Sequence, residues 1–234
     1  MNNTPTLTHS KTQWNLQHLT VALQRSLPGK SRQPQMVPTQ GHLYQTMRPN
    51  PRKAAVLVLF FNYHHEINLL FTQRTLKLRH HKGQMCFPGG RYEESDQNFV
   101  NTALRETTEE LGIPSRYIKI LGHLTSLYIP RSHNLVYPIV GWLTELPKLT
   151  PNTDEVAQVI FTPLRVLLDP TSTSTYVYQI DQQSATTPCY RVNEICIWGA
   201  TAMITRELLD IIKRLPQLMK RELPVLSSHR ASLR

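Results

Sequence analysis

Hydrophobic positions along this chain follow two periods, and their alternation lays out the elements. From Ala54 to Phe61 every residue is apolar. That run is too short for a typical helix and rich in branched and aromatic side chains, so it reads as a central strand covered on both faces. Asn62–Glu66 turns the chain, and Ile67–Arg74 forms a second strand, giving a hairpin. Further strands are expected at 117–124, 135–143, 156–161, 174–180 and 190–198. Helical spacing shows at Leu16, Leu19, Leu23 and Leu27, ahead of the breaker Pro28-Gly29. Another helix is expected from about Asp96 to Leu111, stopped by Gly112 and by Pro114 beyond it. Pro163–Leu168 predicts a short helix, and Ala200–Leu215 a last one with Ile204, Leu208, Ile211, Ile212 and Leu215 on one side. Strands interrupted by helices imply an α/β protein, a mixed sheet sandwiched between helices.

At 234 residues the chain fits one core with some decoration. Residues 1–53 read as a basic N-terminal helix and an extended arm, 54–215 as the catalytic-sized domain, and 216–234 as a C-terminal tail. The formal charge of +10 is unevenly placed, since no Asp or Glu precedes Glu66. Such a balance favours a phosphorylated or polyanionic partner, against the plainer reading of a solvated basic arm. The arm lacks the alternating basic and aromatic residues of a base-stacking platform, so nucleic acid is not expected as a partner. No apolar run approaches the roughly 20 residues of a membrane span, so no membrane partner is expected. The three cysteines, Cys86, Cys189 and Cys196, are odd in number and spread out, supporting neither a disulfide framework nor a zinc site. With no secretory signal pattern at the N-terminus, the expected location is cytoplasmic.

The stretch that changes this picture runs from Gly89-Gly90 to Gly112-Ile113. On a helical wheel Val100, Ala103, Leu104, Thr107 and Leu111 share one face, and Glu106, Glu109 and Glu110 gather on its flank. Carboxylates in a last turn face the negative end of the helix dipole, at roughly 0.3–1 kcal/mol each, and they repel one another. Folding alone would not select this arrangement. A bound dication reverses the argument, because carboxylates spaced i, i+3 and i+4 can converge on hard metal ions completed by water and phosphate oxygens. Gly89 and Gly90 let the backbone turn sharply and approach a ligand, and Pro88 stiffens the entry.

These residues resemble the Nudix box, Gly-x5-Glu-x7-Arg-Glu-U-x-Glu-Glu-x-Gly-U with U a bulky aliphatic. The interval from Gly90 to Arg105 is one residue longer here, Asp96 stands near the first Glu, and Thr107 replaces an aliphatic. The coenzyme A diphosphatase branch of that superfamily carries the same longer spacing. Its upstream pattern is similar to Leu69-Leu70, Arg74, Arg79, Gly83 and Phe87-Pro88-Gly89-Gly90, with Thr75 and Glu93 as mild departures. Leu27-Pro28-Gly29, Tyr128–Ser132 and Ile197–Ala202 also look like that branch. The resemblance implies the Nudix fold for residues 54–215. It also implies Mg²⁺- or Mn²⁺-dependent cleavage of the diphosphate of coenzyme A, with acyl-coenzyme A as a further candidate, to 4′-phosphopantetheine and adenosine 3′,5′-bisphosphate. NADH or ADP-ribose as substrate, or a non-catalytic nucleotide- or RNA-binding module, are the alternatives.

Carried over by position, Glu106 and Glu110 match metal ligands. Glu109 matches a further ligand or the group that orients or deprotonates water, and Arg105 a brace for the carboxylates. Arg74, Arg79 and Arg91 are candidates for phosphate contact, with Gly89 and Gly90 lining the substrate, because a guanidinium engages phosphate through parallel donors. Each arginine has loop support as its alternative. His80 and His81 read as structural or exposed rather than as ligands, and Cys86 as a small buried residue rather than a nucleophile. Glu155 leads the candidates for a base outside the box. Trp198 reads as core before adenine platform. Oligomeric state is left open by the sequence.

Overall fold

The computed structural model describes residues 16–37, 47–77, 82–180 and 183–215. In chain order its strands are β1 (Arg52–Tyr63), β2 (Glu66–Arg74), β3 (Met85–Cys86), β4 (Gly89–Arg91), β5 (Ile118–His123), β6 (Leu127–Ile129), β7 (Asn134–Leu143), β8 (Val156–Pro163), β9 (Thr173–Ile180), β10 (Gln183–Val192) and β11 (Ile195–Trp198). The helices are α1 (Leu16–Leu23), α2 (Gly29–Arg32), α3 (Phe99–Leu111), α4 (Leu164–Leu168) and α5 (Gly199–Lys213).

β1 explains the architecture. Its side chains alternate between faces, so an unbroken apolar run must be covered twice. Ala55, Leu57, Leu59 and Phe61 pack with Ala103 and Leu111 of α3. Ala54, Val58 and Phe60 pack on the other side with Leu19 and Leu23 of α1 and Leu208 and Ile212 of α5. The result is the expected mixed sheet between helices.

β1 runs parallel to β7 and antiparallel to β2, while β5 and β6 extend the sheet beyond β7 and β8 lies beyond β2. β1 and β2 pair only near their turn, from Phe60↔Leu69 to Tyr63↔Glu66. Past that point they part. β4 then pairs with β1 at Ala54–Val56, and β3 pairs with β2 at Thr72 and Gln73. The Phe87-Pro88 link between β3 and β4 therefore spans the opening and sets Gly89-Gly90 at the mouth of the split sheet. β9, β10 and β11 form a second, antiparallel sheet. The strand expected at 190–198 is broken by a turn in which Asn193 takes φ 52°.

Residues 29–36 are helical where an extended arm wrapped on the domain is expected. They form α2 and a 3-10 turn, and both lie against α5. The reason lies in α5, which buries two acids. Glu207, 0% exposed, accepts from Gln33 Nε2 at 2.9 Å, from Thr125 Oγ1 at 2.7 Å and from the Thr125 amide at 3.2 Å. Asp210 pairs with Arg32 at 2.8 Å. Arg48, though exposed, donates to the Pro130 carbonyl at 2.9 Å. Arg32 and Arg48 thus tie the N-terminal segment to the domain. Among the described residues no helix is long and apolar enough to cross a membrane.

If α1 is integral to the core, truncating its buried leucine should act like a core cavity. Leu19→Ala should lower the unfolding free energy by about 2–4 kcal/mol in a denaturant titration; a loss below about 1 kcal/mol would mean that α1 is only loosely held.

Candidate functional site

The carboxylate helix is shorter than the spacing suggests. α3 begins at Phe99, with the Asn98 side chain accepting from the Asn101 amide at 2.9 Å as its N-cap. Glu94–Asp96 form a separate 3-10 turn closed by a capping box, in which Glu93 and Asp96 each accept from the other's backbone. Gly112 ends α3 in the left-handed conformation at φ 71°. Thr107, where an aliphatic is usual, is buried and satisfies its hydroxyl on the Ala103 carbonyl at 2.7 Å.

Detaching Asp96 from the helix gives it a different task. It is 5% exposed and takes Arg105 Nε at 2.7 Å and Nη2 at 3.0 Å, with Thr102 Oγ1 at 2.9 Å and the Glu93 amide at 2.9 Å. The Arg105 guanidinium beside it holds its carboxyl well below the usual carboxylate range despite burial. Arg105 then turns its other donors outward, to Glu106 Oε1 at 3.0 Å, Glu109 Oε2 at 3.2 Å and the Arg91 carbonyl at 2.9 Å. One guanidinium joins the 3-10 turn, β4 and two carboxylates of α3. A helical wheel could not show this, because Asp96 lies outside the helix.

The carboxylates occupy unlike environments. Glu110 is 3% exposed and accepts from the Gly89 amide at 3.3 Å. Burial raises its carboxyl from an ordinary 4.5 to about 8, against the lowering effects of Arg74 and the Gly89 amide. Glu106 is raised as well, by burial first, with Arg105 opposing. Glu109 has 57% of its side chain exposed and leans on Arg105. Above Glu106 the backbone is as close as it can come: a Cβ on Gly90 would overlap the Glu106 carboxyl, and one on Gly89 would overlap the Ala55 carbonyl. Gly89 therefore requires glycine, and a side chain at Gly90 would displace the Glu106 carboxyl.

Tertiary structure adds two groups to this cluster. The loop after Leu149 is tied to the end of α3 by the Thr150 amide on the Leu111 carbonyl and the Asn152 amide on the Glu110 carbonyl, both at 2.9 Å. It is tied to the end of β2 by the Thr75 amide on the Glu155 carbonyl at 3.0 Å. Glu155 is thereby held where its charge raises both Glu106 and Glu110. Arg74, last in β2, brings its positive charge to bear on Glu110 and on the Cys86 thiol. Burial pushes that thiol above its ordinary range, and it contacts Thr72 Oγ1 at 3.2 Å, which suits a packed thiol rather than a nucleophile. Arg91 is exposed at the end of β4. Arg79, His80 and His81 lie outside the described residues. Cys189 and Cys196, seven residues apart, meet across β10 and β11 as free thiols with Sγ atoms 3.0 Å apart.

Among the described residues no three His, Cys, Asp or Glu side chains already close on one point as a complete metal cage. The donors present fit a hard dication nonetheless. Two carboxylates, disfavoured as anions by burial, stand against a two-glycine turn with a third carboxylate within electrostatic reach. That is the protein's share of a shell completed by water and phosphate oxygens. Asp96→Ala should cost about 3 kcal/mol of stability by removing the two hydrogen bonds that hold Arg105 Nε and Nη2. Denaturant unfolding would measure it, and a loss under about 1 kcal/mol would show that Glu106 and Glu109 hold the guanidinium without Asp96.

The NUDIX domain model matches residues 51–180. The chain is 35% identical over 175 residues to the Nudix hydrolase NudL of Pectobacterium atrosepticum, spanning 72% of this chain and 88% of that one. It is 35% identical over 170 residues to the mitochondrial coenzyme A diphosphatase NUDT8 of Homo sapiens, spanning 71% of this chain and 72% of that one. Among solved structures, the Nudix hydrolase RenU of M. smegmatis aligns with a TM-score of 0.51 at 14% identity, over 77% of this chain and 95% of that chain, which speaks to the fold alone. With the box residues gathered at the mouth of a split sheet and the domain matched over more than half its length, this chain belongs to the Nudix hydrolase family.

Proposed function

We propose that the protein hydrolyses the diphosphate of coenzyme A, and of its acyl derivatives, to 4′-phosphopantetheine and adenosine 3′,5′-bisphosphate. The observation that carries the reading is the pair Glu106 and Glu110 under Gly89-Gly90, braced by Arg105. The choice of substrate is supported by the longer box spacing, the residues from Leu69 to Gly90, and the name of the human relative. NADH or ADP-ribose remains the alternative within the family.

Glu106 and Glu110 would hold Mg²⁺ or Mn²⁺, with Glu109 available as a further ligand. When bound there, a divalent ion would offset the charge of the diphosphate and lower the pKa of a bound water. Arg105 fixes the Glu106 carboxylate, so its orientation is set before substrate arrives. The backbone of Gly89 and Gly90 admits the diphosphate closely, and exposed Arg91 is free to meet its outer oxygens. Arg74 faces Glu110 in this fold, so its charge serves the carboxylate cluster as well as any phosphate near it. For the proton leaving the attacking water, Glu155 and Glu109 are the acceptors with room to act. Glu155 is the candidate from outside the box, with its charge acting on both Glu106 and Glu110, while Glu109 acts on Glu106. The free cysteines suit a reducing compartment and we retain the cytoplasm as the place of action, although the human relative is named as mitochondrial.

Incubation with Mg²⁺ or Mn²⁺ and a panel of coenzyme A, NADH and ADP-ribose should give the highest kcat/KM for coenzyme A. Rapid cleavage of NADH or ADP-ribose with coenzyme A untouched would overturn the substrate assignment. Acidity gives a second test. A carboxyl raised in the folded state stabilises the fold below its unfolded value, and that contribution is lost as pH climbs through the folded value. For Glu110 the window runs from its ordinary 4.5 to about 8. Metal-free protein should therefore lose melting temperature across this window and regain it with Mg²⁺. Glu110→Gln should flatten the pH dependence and lower metal-dependent kcat by at least about a hundredfold. A variant that kept full turnover would remove Glu110 from the mechanism.

A further inference from the structure

Three aromatic side chains share one face of the second sheet. Trp198 stands opposite Cys189, Tyr176 opposite Thr187 and Tyr178 opposite Ala185. Opposed residues project to the same side. The rings therefore lie on the side of Cys189, Thr187 and Ala185, each at most 1% exposed. Tyr190, Val192 and Ile197 point the other way, into the core. The indole centroid is 5.3 Å from Tyr176 and 4.8 Å from Tyr178, and the two tyrosine rings are within 3° of parallel. All three are half-buried. Trp198 is thus part of an aromatic platform rather than the core residue that the sequence favours.

The platform is joined to the diphosphate cradle. Trp198 precedes α5, whose Thr201 hydroxyl donates to the Met85 carbonyl at 2.9 Å, and β11 lies against β3. Met85 is four residues before Gly89, so the strand behind the rings leads into the glycine turn. Exposed Arg131, on the turn between β6 and β7, lies close enough for its charge to act on the Tyr178 hydroxyl.

Resting on the reading of an adenine-bearing diphosphate substrate, we propose that Tyr176, Tyr178 and Trp198 form its purine subsite and that Arg131 receives a phosphate carried on the ribose. An aromatic face takes a planar base through stacking that does not depend on hydrogen-bond pattern. A guanidinium near it can engage phosphate through two parallel donors, which separates a ribose-phosphorylated nucleotide from one without that group.

The test follows tryptophan fluorescence of the full chain titrated with adenosine 3′,5′-bisphosphate and with AMP, using Trp198→Phe to identify the responding indole. Both ligands should quench, and the signal should vanish in Trp198→Phe. Tyr178→Ser should weaken both by about tenfold. Arg131→Gln should weaken the bisphosphate by about tenfold and leave AMP within about twofold. In turnover of coenzyme A both variants should raise KM with kcat unchanged. Quenching that persists while coenzyme A is not hydrolysed would support the subsite and defeat only the substrate reading. Hydrolysis of coenzyme A with no quenching, or with KM unmoved in both variants, would overturn the subsite and leave the substrate reading intact.

Discussion

Glu110 carries the central constraint: a carboxylate almost wholly removed from water, facing two further carboxylates, with only the Gly89 amide and the charge of Arg74 in its favour. Left to itself such a group favours its protonated form. Each surrounding element can be understood from the need to hold it there. The split between β1 and β2 opens the sheet where the two-glycine turn must sit. The absent side chains of Gly89 and Gly90 let that turn rest on Glu106 and Ala55 without a gap. The loop from Thr150 to Glu155 is pinned to the end of α3, which fixes the third carboxylate.

The Asp96–Arg105 pair balances that arrangement from the other side. An arginine among acids would be drawn to whichever was nearest, and its guanidinium could turn to the exposed Glu109. Asp96 prevents this by taking Nε and Nη2 together in a buried, fully satisfied geometry. The remaining donor is left aimed at Glu106 and Glu109. A buried ion pair adds little to stability by itself. Its value here is directional, since it fixes one carboxylate at the rim of the site while Glu110 sits deeper and untouched by Arg105.

α5 shows the same economy on the opposite face of the sheet. It buries Glu207 and Asp210, which would be costly without partners. The N-terminal segment supplies Gln33 and Arg32 as those partners, so residues that precede the domain in sequence complete its wall. From its other end α5 reaches Met85 and the second sheet. The helix therefore links the aromatic face to the strand that leads into the glycine turn.

Local pattern was enough for much of this. The apolar run of β1 required cover on both faces whatever the chain did elsewhere, and the acids of α3 with the glycine turn made sense only as a ligand site, because their spacing opposes the helix dipole and each other. Such facts depend on residues within a turn or two, so one dimension records them. Other features depend on which distant segments meet. Asp96 reaches Arg105 only because a 3-10 turn interrupts the expected helix. Glu155 comes near Glu110 because three backbone bonds tie its loop to the ends of α3 and β2. The acids of α5 draw the N-terminal residues out of an extended arm, and Trp198 shows its ring to two tyrosines because β10 lies between their strands. The sequence by itself determined the layers and the chemistry of the carboxylate helix, since periodicity and charge act locally. Tertiary structure alone decided which carboxylate is buried, which arginine holds which acid, and where the aromatic face lies, because burial and pairing are properties of the assembled neighbours.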